Sequence, residues 1–164
     1  MKTLFLLRHA KSHAKDETVP DFERPLTRRG KRTAETLGRY LSAHAGVPEL
    51  ILSSPAVRAR ETTEIVVQAA KWSTEVRYDQ RLYLADQLRL AEVIAQIEND
   101  RKVALIVAHN PGIEELLSLL TGNSEPVPAG SVAKIKFKAT KWTNVVDKRA
   151  TLDWLVRPNE LEVE

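Results

Sequence analysis

The sequence predicts an α/β fold, a three-layer α/β/α sandwich on a mostly parallel sheet with an antiparallel edge. Short continuous apolar runs at 4–7, 50–52 and Val103–Ala108 alternate with stretches whose apolar residues recur at helical spacing. Strand and helix in alternation call for parallel strands joined by right-handed crossovers. The pattern then changes. Ala133, Ile135 and Phe137 alternate with Lys134, Lys136 and Lys138, and Leu152, Trp154 and Val156 lie two apart, which reads as two half-exposed edge strands joined as a hairpin.

Element by element, the run TLFLL is a buried strand ending near Leu7, which leaves Arg8 and His9 at its carboxyl end. Residues 13–25 are polar and carry two prolines, so they form a surface loop, and Thr27 can cap the helix that follows. In that helix Ala34, Leu37, Tyr40 and Leu41 face inward, and the helix is expected to end near Gly46. Residues 50–52 are a second buried strand. Ser54 then reads as an N-cap and Pro55 as a first-turn proline of a helix buried through Ile65, Val66 and Ala69. Arg58 falls in its first turn, where a cation opposes the helix dipole and has little reason to be chosen for stability. A short strand at Val76–Tyr78 and a helix over 87–99, with Leu90, Ile94 and Ile97 inward, lead to the clearest strand, Val103–Ala108. It runs into His109, Asn110, Pro111 and Gly112 before the helical stretch IEELLSLL.

At 164 residues the chain is expected to be one domain, 1–164, without repeat or linker. A hydrophobic share of 43% beside 29% charged residues is that of a globular protein rather than a disordered tail. No apolar run approaches the roughly 20 residues of a membrane span or the core of a signal peptide, so no membrane partner and a cytoplasmic location are expected. The net charge of +3 is spread among carboxylates and the aromatic share is 5%, which argues against nucleic acid as a partner. The absence of cysteine removes thiolate nucleophiles, disulfides and cysteine metal sites. Oligomeric state is left open by the sequence.

Ligands of such sheets bind at the carboxyl ends of the strands, so three separated segments deliver Arg8 with His9, Arg58, and His109 to one rim. Two imidazoles and two guanidiniums suit a tetrahedral dianion, because guanidinium forks grip phosphate oxygens in pairs. The helix start after Ser54 adds backbone donors. Phosphoryl transfer needs positive charge on the equatorial oxygens and a nucleophile in line; arginines supply the first and a neutral imidazole the second, with no metal or other cofactor called for. His9 is the nucleophile candidate, kept neutral by the nearby positive charge, and His109 the hydrogen-bond donor to the transferring group. Two rivals stand beside this. His9, His13 and His109 are conceivable metal ligands, although HAKSH falls in a loop and lacks the glutamate of a metalloprotease helix. A non-catalytic phosphate-binding module would keep the arginines without turnover. His44 reads as a surface residue, and Trp72, Trp142 and Trp154 as packing residues.

Five stretches carry a family resemblance: LFLLRHAKS at 4–12, RPLTRRG at 24–30, LILSSPAVRARET at 50–62, LYLAD at 82–86 and VALIVAHNPG at 103–112. In joint order and spacing the chain resembles the histidine phosphatase superfamily related to phosphoglycerate mutases, and within it the small bacterial phosphohistidine phosphatases. The resemblance implies a phosphoglycerate mutase-like fold and a metal-independent phosphatase acting on a phosphohistidine-bearing protein or a small phosphorylated molecule. By position it implies that His9 is phosphorylated, that Arg8 and Arg58 hold the phosphoryl oxygens, that His109 completes the pocket and that Arg24 contacts phosphate. Ala10 stands where the family most often has glycine, a variant familiar in the small branch. Many members carry a general-acid glutamate in the region of 82–85. No carboxylate stands there in this chain, and Asp79 and Asp86 are the nearest in sequence.

Overall fold

The structure, a computed structural model, describes residues 1–147 and 150–161. Its strands are β1 Lys2–Arg8, β2 Leu50–Ser53, β3 Val76–Tyr78, β4 Val103–Ala108, β5 Val132–Phe137 and β6 Thr151–Val156, joined in one sheet of order β3-β2-β4-β1-β5-β6. The pairs β2–β3, β2–β4 and β1–β4 are parallel, and β1–β5 and β5–β6 are antiparallel. This is the predicted mixed sheet. The helices are α1 Arg28–His44, α2 Val57–Ala70, α3 Gln87–Ala95, α4 Gly112–Thr121 and the short α5 Pro158–Leu161.

The continuous apolar runs are explained by burial on both faces, since successive side chains of a strand point to opposite sides. Leu4 and Leu6 of β1, Leu50 and Leu52 of β2, and Ala104 and Ile106 of β4 pack with Leu90 and Ile94 of α3 and Leu116 and Leu117 of α4. Phe5, Leu7, Ile51, Leu105 and Val107 face the other way, onto Leu37 and Leu41 of α1 and Val66 of α2. Trp142 is fully buried in the first layer, and Trp72 and Trp154 pack against the second, as packing residues should. Among the described residues no helix is long and apolar enough to cross a membrane.

Three helix boundaries differ in instructive ways. Thr27 caps α1 as expected, its side chain accepting Gly30 N–H at 3.0 Å, and the helix stops at His44, two residues before Gly46. The N-cap of α2 is Ala56 rather than Ser54, so Pro55 precedes the helix instead of opening it. Ser54 Oγ accepts Ala56 N–H at 3.3 Å and lies 2.8 Å from a histidine ring nitrogen, which gives it a different task. The helix expected over 87–99 ends at Ala95. Gln96 and Ile97 N–H groups bond the carbonyls three residues back, tightening the last turn while Ile97 stays buried.

Two glycines fix how the loops sit on this frame. A Cβ on Gly30 would lie 2.1 Å from the Lys11 carbonyl oxygen, so the first turn of α1 is pressed against the chain just after His9. A Cβ on Gly112 would lie 2.0 Å from the Ala85 carbonyl oxygen, which brings the 82–86 stretch onto the start of α4.

Candidate active site

The parallel register of β1 and β4 pairs Arg8 with Ala108, so His9 and His109 leave the sheet side by side. His9 N–H donates to the Ala108 carbonyl at 3.2 Å, and the two imidazole centroids are 5.1 Å apart. β2 ends beside β4, Ser54 N–H donating to the Val107 carbonyl at 2.9 Å, and the turn beyond it feeds the first turn of α2, which presents Arg58. Arg8, His9, Arg58 and His109 therefore meet at the carboxyl edge of the sheet, as the strand order predicted.

The ARET segment of α2 explains how the rim is held. Thr62 Oγ1, fully buried, donates to the Arg58 carbonyl at 2.7 Å and accepts Ala10 N–H at 3.0 Å, while Glu61 Oε1 accepts Leu26 N–H at 2.8 Å. One helical turn thus braces both the segment after His9 and the loop before α1.

His9 is buried, and its Nδ1 lies 2.8 Å from the Ala10 carbonyl oxygen. A carbonyl only accepts, so the ring proton belongs on Nδ1 and the lone pair on Nε2. Burial lowers its pKa to about 4; the Ala10 hydrogen bond opposes this, and the Arg58, Arg8 and Arg24 charges add to the lowering. His109 is pushed down to about 3, again by burial first and then by His9 and Arg58. Its Nε2 is 2.8 Å from Ser54 Oγ. That oxygen accepts Ala56 N–H, and among the described residues its own hydrogen has no acceptor other than His109 Nε2, so the hydroxyl donates there and the His109 proton is assigned to Nδ1.

The arginines are anchored at their far ends. Arg8 Nη1 donates to the Val127 carbonyl at 3.1 Å, and Arg58 donates from Nη1 to the Asp21 carbonyl at 2.7 Å and from Nη2 to Asp21 Oδ2 at 3.1 Å. Arg8 Nε, Arg58 Nε and His109 Nδ1 are buried without a protein partner. An unsatisfied buried donor costs roughly 1–3 kcal/mol. With Asn110 Oδ1 and Ser131 Oγ these three are the buried side-chain polar atoms without a partner among the described residues, and guanidinium N–H groups of this kind can serve the oxygens of an anion.

Two residues of this site escaped the sequence reading. Asp21 Oδ1 accepts from Arg24 Nε at 3.0 Å and Nη2 at 2.9 Å, and Oδ2 accepts from Arg58 and from the Tyr83 hydroxyl at 2.5 Å. Burial works against its charge, but the hydrogen bonds from Tyr83, Arg24 and Arg58 outweigh it and hold the carboxyl well below the usual range. Burial, the hydrogen bond to Asp21 and its charge raise the pKa of Tyr83. Asp21 was hard to see because it sits in a polar loop among other carboxylates, its partner Arg58 37 residues away. Tyr83 lies inside the LYLAD stretch, and nothing local to a tyrosine there signals its bond to Asp21, 62 residues away.

All three nitrogens of the Arg24 guanidinium bond within the protein, to Asp21, to Ser12 Oγ at 3.1 Å and to the His13 carbonyl. His13 is exposed, and His44 stacks on Tyr40 at the surface. Asp79 caps the 3-10 turn Gln80–Leu82 and pairs with Arg81 at 2.7 Å, and Asp86 caps α3. Among the described residues no three His, Cys, Asp or Glu are grouped to hold a metal ion. With both histidines neutral, the Arg8, Arg24 and Arg58 guanidiniums outnumber the carboxylates beside them, Asp21 at Arg24 and Arg58 and Glu114 near Arg8, and the site is net positive.

Fold and site together define an α/β protein that gathers two neutral imidazoles and two guanidiniums at the carboxyl ends of its parallel strands. The sequence pattern of the histidine phosphatase superfamily (branch 1) matches residues 4–83. An uncharacterized protein of Mycobacterium leprae is 35% identical over 135 residues, covering 80% of this chain and 81% of its own. A candidate phosphohistidine phosphatase SixA from Nakamurella multipartitia superposes with a TM-score of 0.85 at 26% identity, over 96% of each chain. A second candidate phosphohistidine phosphatase SixA, from Agrobacterium tumefaciens, gives 0.83 at 26% identity, over 96% of this chain and 98% of that one. The chain belongs to the histidine phosphatase superfamily, its fold is that of the phosphoglycerate mutase-like proteins, and its activity is that of a phosphatase.

Proposed function

We propose that this phosphatase cleaves phosphohistidine in proteins, or small phosphoesters with weakly basic leaving groups, through a phosphorylated His9 and without a metal. The observation that carries the reading is the tautomer of His9: Nδ1–H is pinned on the Ala10 carbonyl, so Nε2 keeps its lone pair beside two guanidiniums with unspent donors.

In the first step His9 Nε2 attacks phosphorus and an N–P bond forms. The bond to the leaving group breaks, its electron pair goes to the departing nitrogen or oxygen, and the proton that neutralises it comes from solvent. Arg8 and Arg58 take up the charge of the equatorial oxygens, and His109 donates from Nδ1. In the second step a water oxygen attacks phosphorus, the N–P pair returns to Nε2, and phosphate leaves with the proton shed by that water. The Ala10 carbonyl holds the ring throughout, stabilising the cationic phosphoimidazolium through Nδ1–H. Arg24 contributes positive charge and braces Asp21.

The carboxylates around 79–86 favour this substrate class. Asp79 and Asp86 are occupied as caps, while Asp21 is held ionised and accepts four hydrogen bonds. An alkyl alcohol leaves as a basic alkoxide unless an acid protonates it, whereas an imidazole is protonated in water near neutral pH and a phenol leaves with a pKa of about 10. The names of the Nakamurella and Agrobacterium neighbours point to the same P–N chemistry.

The test is a panel of a phosphohistidine peptide, an aryl phosphate, an alkyl phosphate and 3-phosphoglycerate, assayed in excess chelator with wild type and His9→Ala. The first two compounds should lead in kcat/KM, unaffected by chelator and lost in His9→Ala. An alkyl phosphate or phosphoglycerate as best substrate, or activity that chelator removes and a divalent ion restores, overturns the reading.

A further inference from the structure

The rim borders an aromatic surface that the phosphoryl chemistry leaves unused. Tyr83 stands edge-on to the His109 ring, centroids 5.6 Å apart at 81°, and the Arg58 guanidinium carbon lies 6.0 Å from its ring centre. Phe22 stands edge-on to Tyr83 in turn, at 5.0 Å and 82°. Both rings are half-buried, and neither belongs to either apolar layer of the core. Phe22 rides on the 3-10 turn Asp21–Glu23, which buries none of its residues. A phenylalanine that belongs to neither core layer and packs on the ring beside His109 is poorly explained by stability.

We propose that Phe22 and Tyr83 form the leaving-group subsite and that it takes a planar ring, the imidazole of a phosphohistidine side chain. This rests on the phosphohistidine-phosphatase reading and names what selects that substrate within it. The Tyr83 hydroxyl is tied to Asp21 Oδ2, so the ring is held in one orientation beside His109. That hydroxyl donates to an ionised carboxylate, which makes it a poor proton source; the contribution of Tyr83 is its ring. As His9 Nε2 bonds to phosphorus, the P–N bond to the substrate imidazole breaks. The electron pair stays on the departing ring nitrogen, which takes its proton from water. An imidazole can meet Phe22 and Tyr83 face to edge, and such a pair is worth about 3- to 10-fold in binding. Ammonia as leaving group offers these rings nothing.

The experiment compares kcat/KM for N-phosphoimidazole and for phosphoramidate, two P–N compounds of which only the first carries a ring. Wild type, Phe22→Leu, Tyr83→Leu and Tyr83→Phe are assayed on both. The same folded fraction serves both substrates, so their ratio is insensitive to any loss of stability. The ratio should fall about 3- to 10-fold in Phe22→Leu and at least as far in Tyr83→Leu, and return in Tyr83→Phe, which keeps the ring. An unchanged ratio in both leucine variants overturns the subsite while turnover of both compounds leaves the phosphohistidine-phosphatase reading standing. Failure of wild type to turn over either compound overturns that reading, and the subsite with it.

Discussion

Asp21 holds Arg58 by both ends of its guanidinium, the backbone carbonyl taking Nη1 at 2.7 Å and the carboxylate taking Nη2 at 3.1 Å. The cation is thus fixed in the first turn of α2, against the helix dipole, with its buried Nε–H unspent. Arg58→Ala should lower the rate of phosphoryl transfer on the order of 10²- to 10³-fold, the cost of losing a donor aimed at transition-state charge. Arg58→Lys should recover little, because one ammonium cannot both bind Asp21 end-on and serve phosphate. A lysine variant close to wild type in kcat would contradict this.

Asp21→Asn removes the charge that orders Arg24 and Arg58, and kcat/KM should drop about tenfold, the scale of one hydrogen bond to a charged group. The same variant reports on stability. The folded-state pKa of Asp21 is depressed, so its stabilising contribution is complete above the unfolded carboxylate value of about 3.9 and is lost as pH falls from there toward the folded value. Urea unfolding midpoints of wild type and Asp21→Asn should differ at pH 7, and the gap should narrow progressively as pH falls below about 3.9. A gap of constant size across that range contradicts the ion pairing.

Both site imidazoles should be neutral in the free protein well into the acid range, since burial and the arginines lower His9 to about 4 and His109 to about 3. An NMR titration of the imidazole Cε1–H signals, assigned with His9→Ala and His109→Ala, should show both flat from pH 8 down to about 5. The linked stability is present above the unfolded histidine value of about 6.5 and declines as pH falls toward the folded values. A midpoint near 6.5 for His9 would remove the argument for a ready nucleophile.

Gly30→Ala sets helix propensity against packing. Alanine favours a helix over glycine by about 1 kcal/mol, but the new Cβ would sit 2.1 Å from the Lys11 carbonyl oxygen, and overpacking costs about 1–3 kcal/mol. The clash is with backbone and wins. The variant should unfold at lower urea, with kcat reduced because Lys11 is two residues beyond His9. A stabilised variant would show that α1 does not press on the catalytic segment.

The parts of the fold legible in the sequence are those whose physics is local. β4 is legible at its observed bounds, Val103–Ala108, because a strand buried on both faces is apolar throughout. Arg8, His9, Arg58 and His109 are legible because each lies at or beyond the carboxyl end of a strand, and strand ends converge on one edge. Asp21 is not, since its role depends on Arg58 and on Tyr83, 62 residues away, and a loop aspartate looks the same solvated or paired. Ser54 shows the intermediate case. Serine before proline carries an N-cap signal, yet its hydroxyl is drawn to His109 by the parallel register of β2 and β4, a relation that no local pattern contains. The early end of α3 is likewise set by two bonds to carbonyls three residues back rather than by any breaker residue.

Trapping a phosphoryl group on His9 Nε2 tests the proposed mechanism most directly. Rapid acid-free quench after brief mixing with a phosphoramidate donor, followed by peptide mapping, should place one phosphate on His9, stable in base and labile in acid. The label should be absent from His9→Ala and undiminished in excess chelator. Stoichiometric phosphate on another residue, or a label that survives in His9→Ala, would contradict the account.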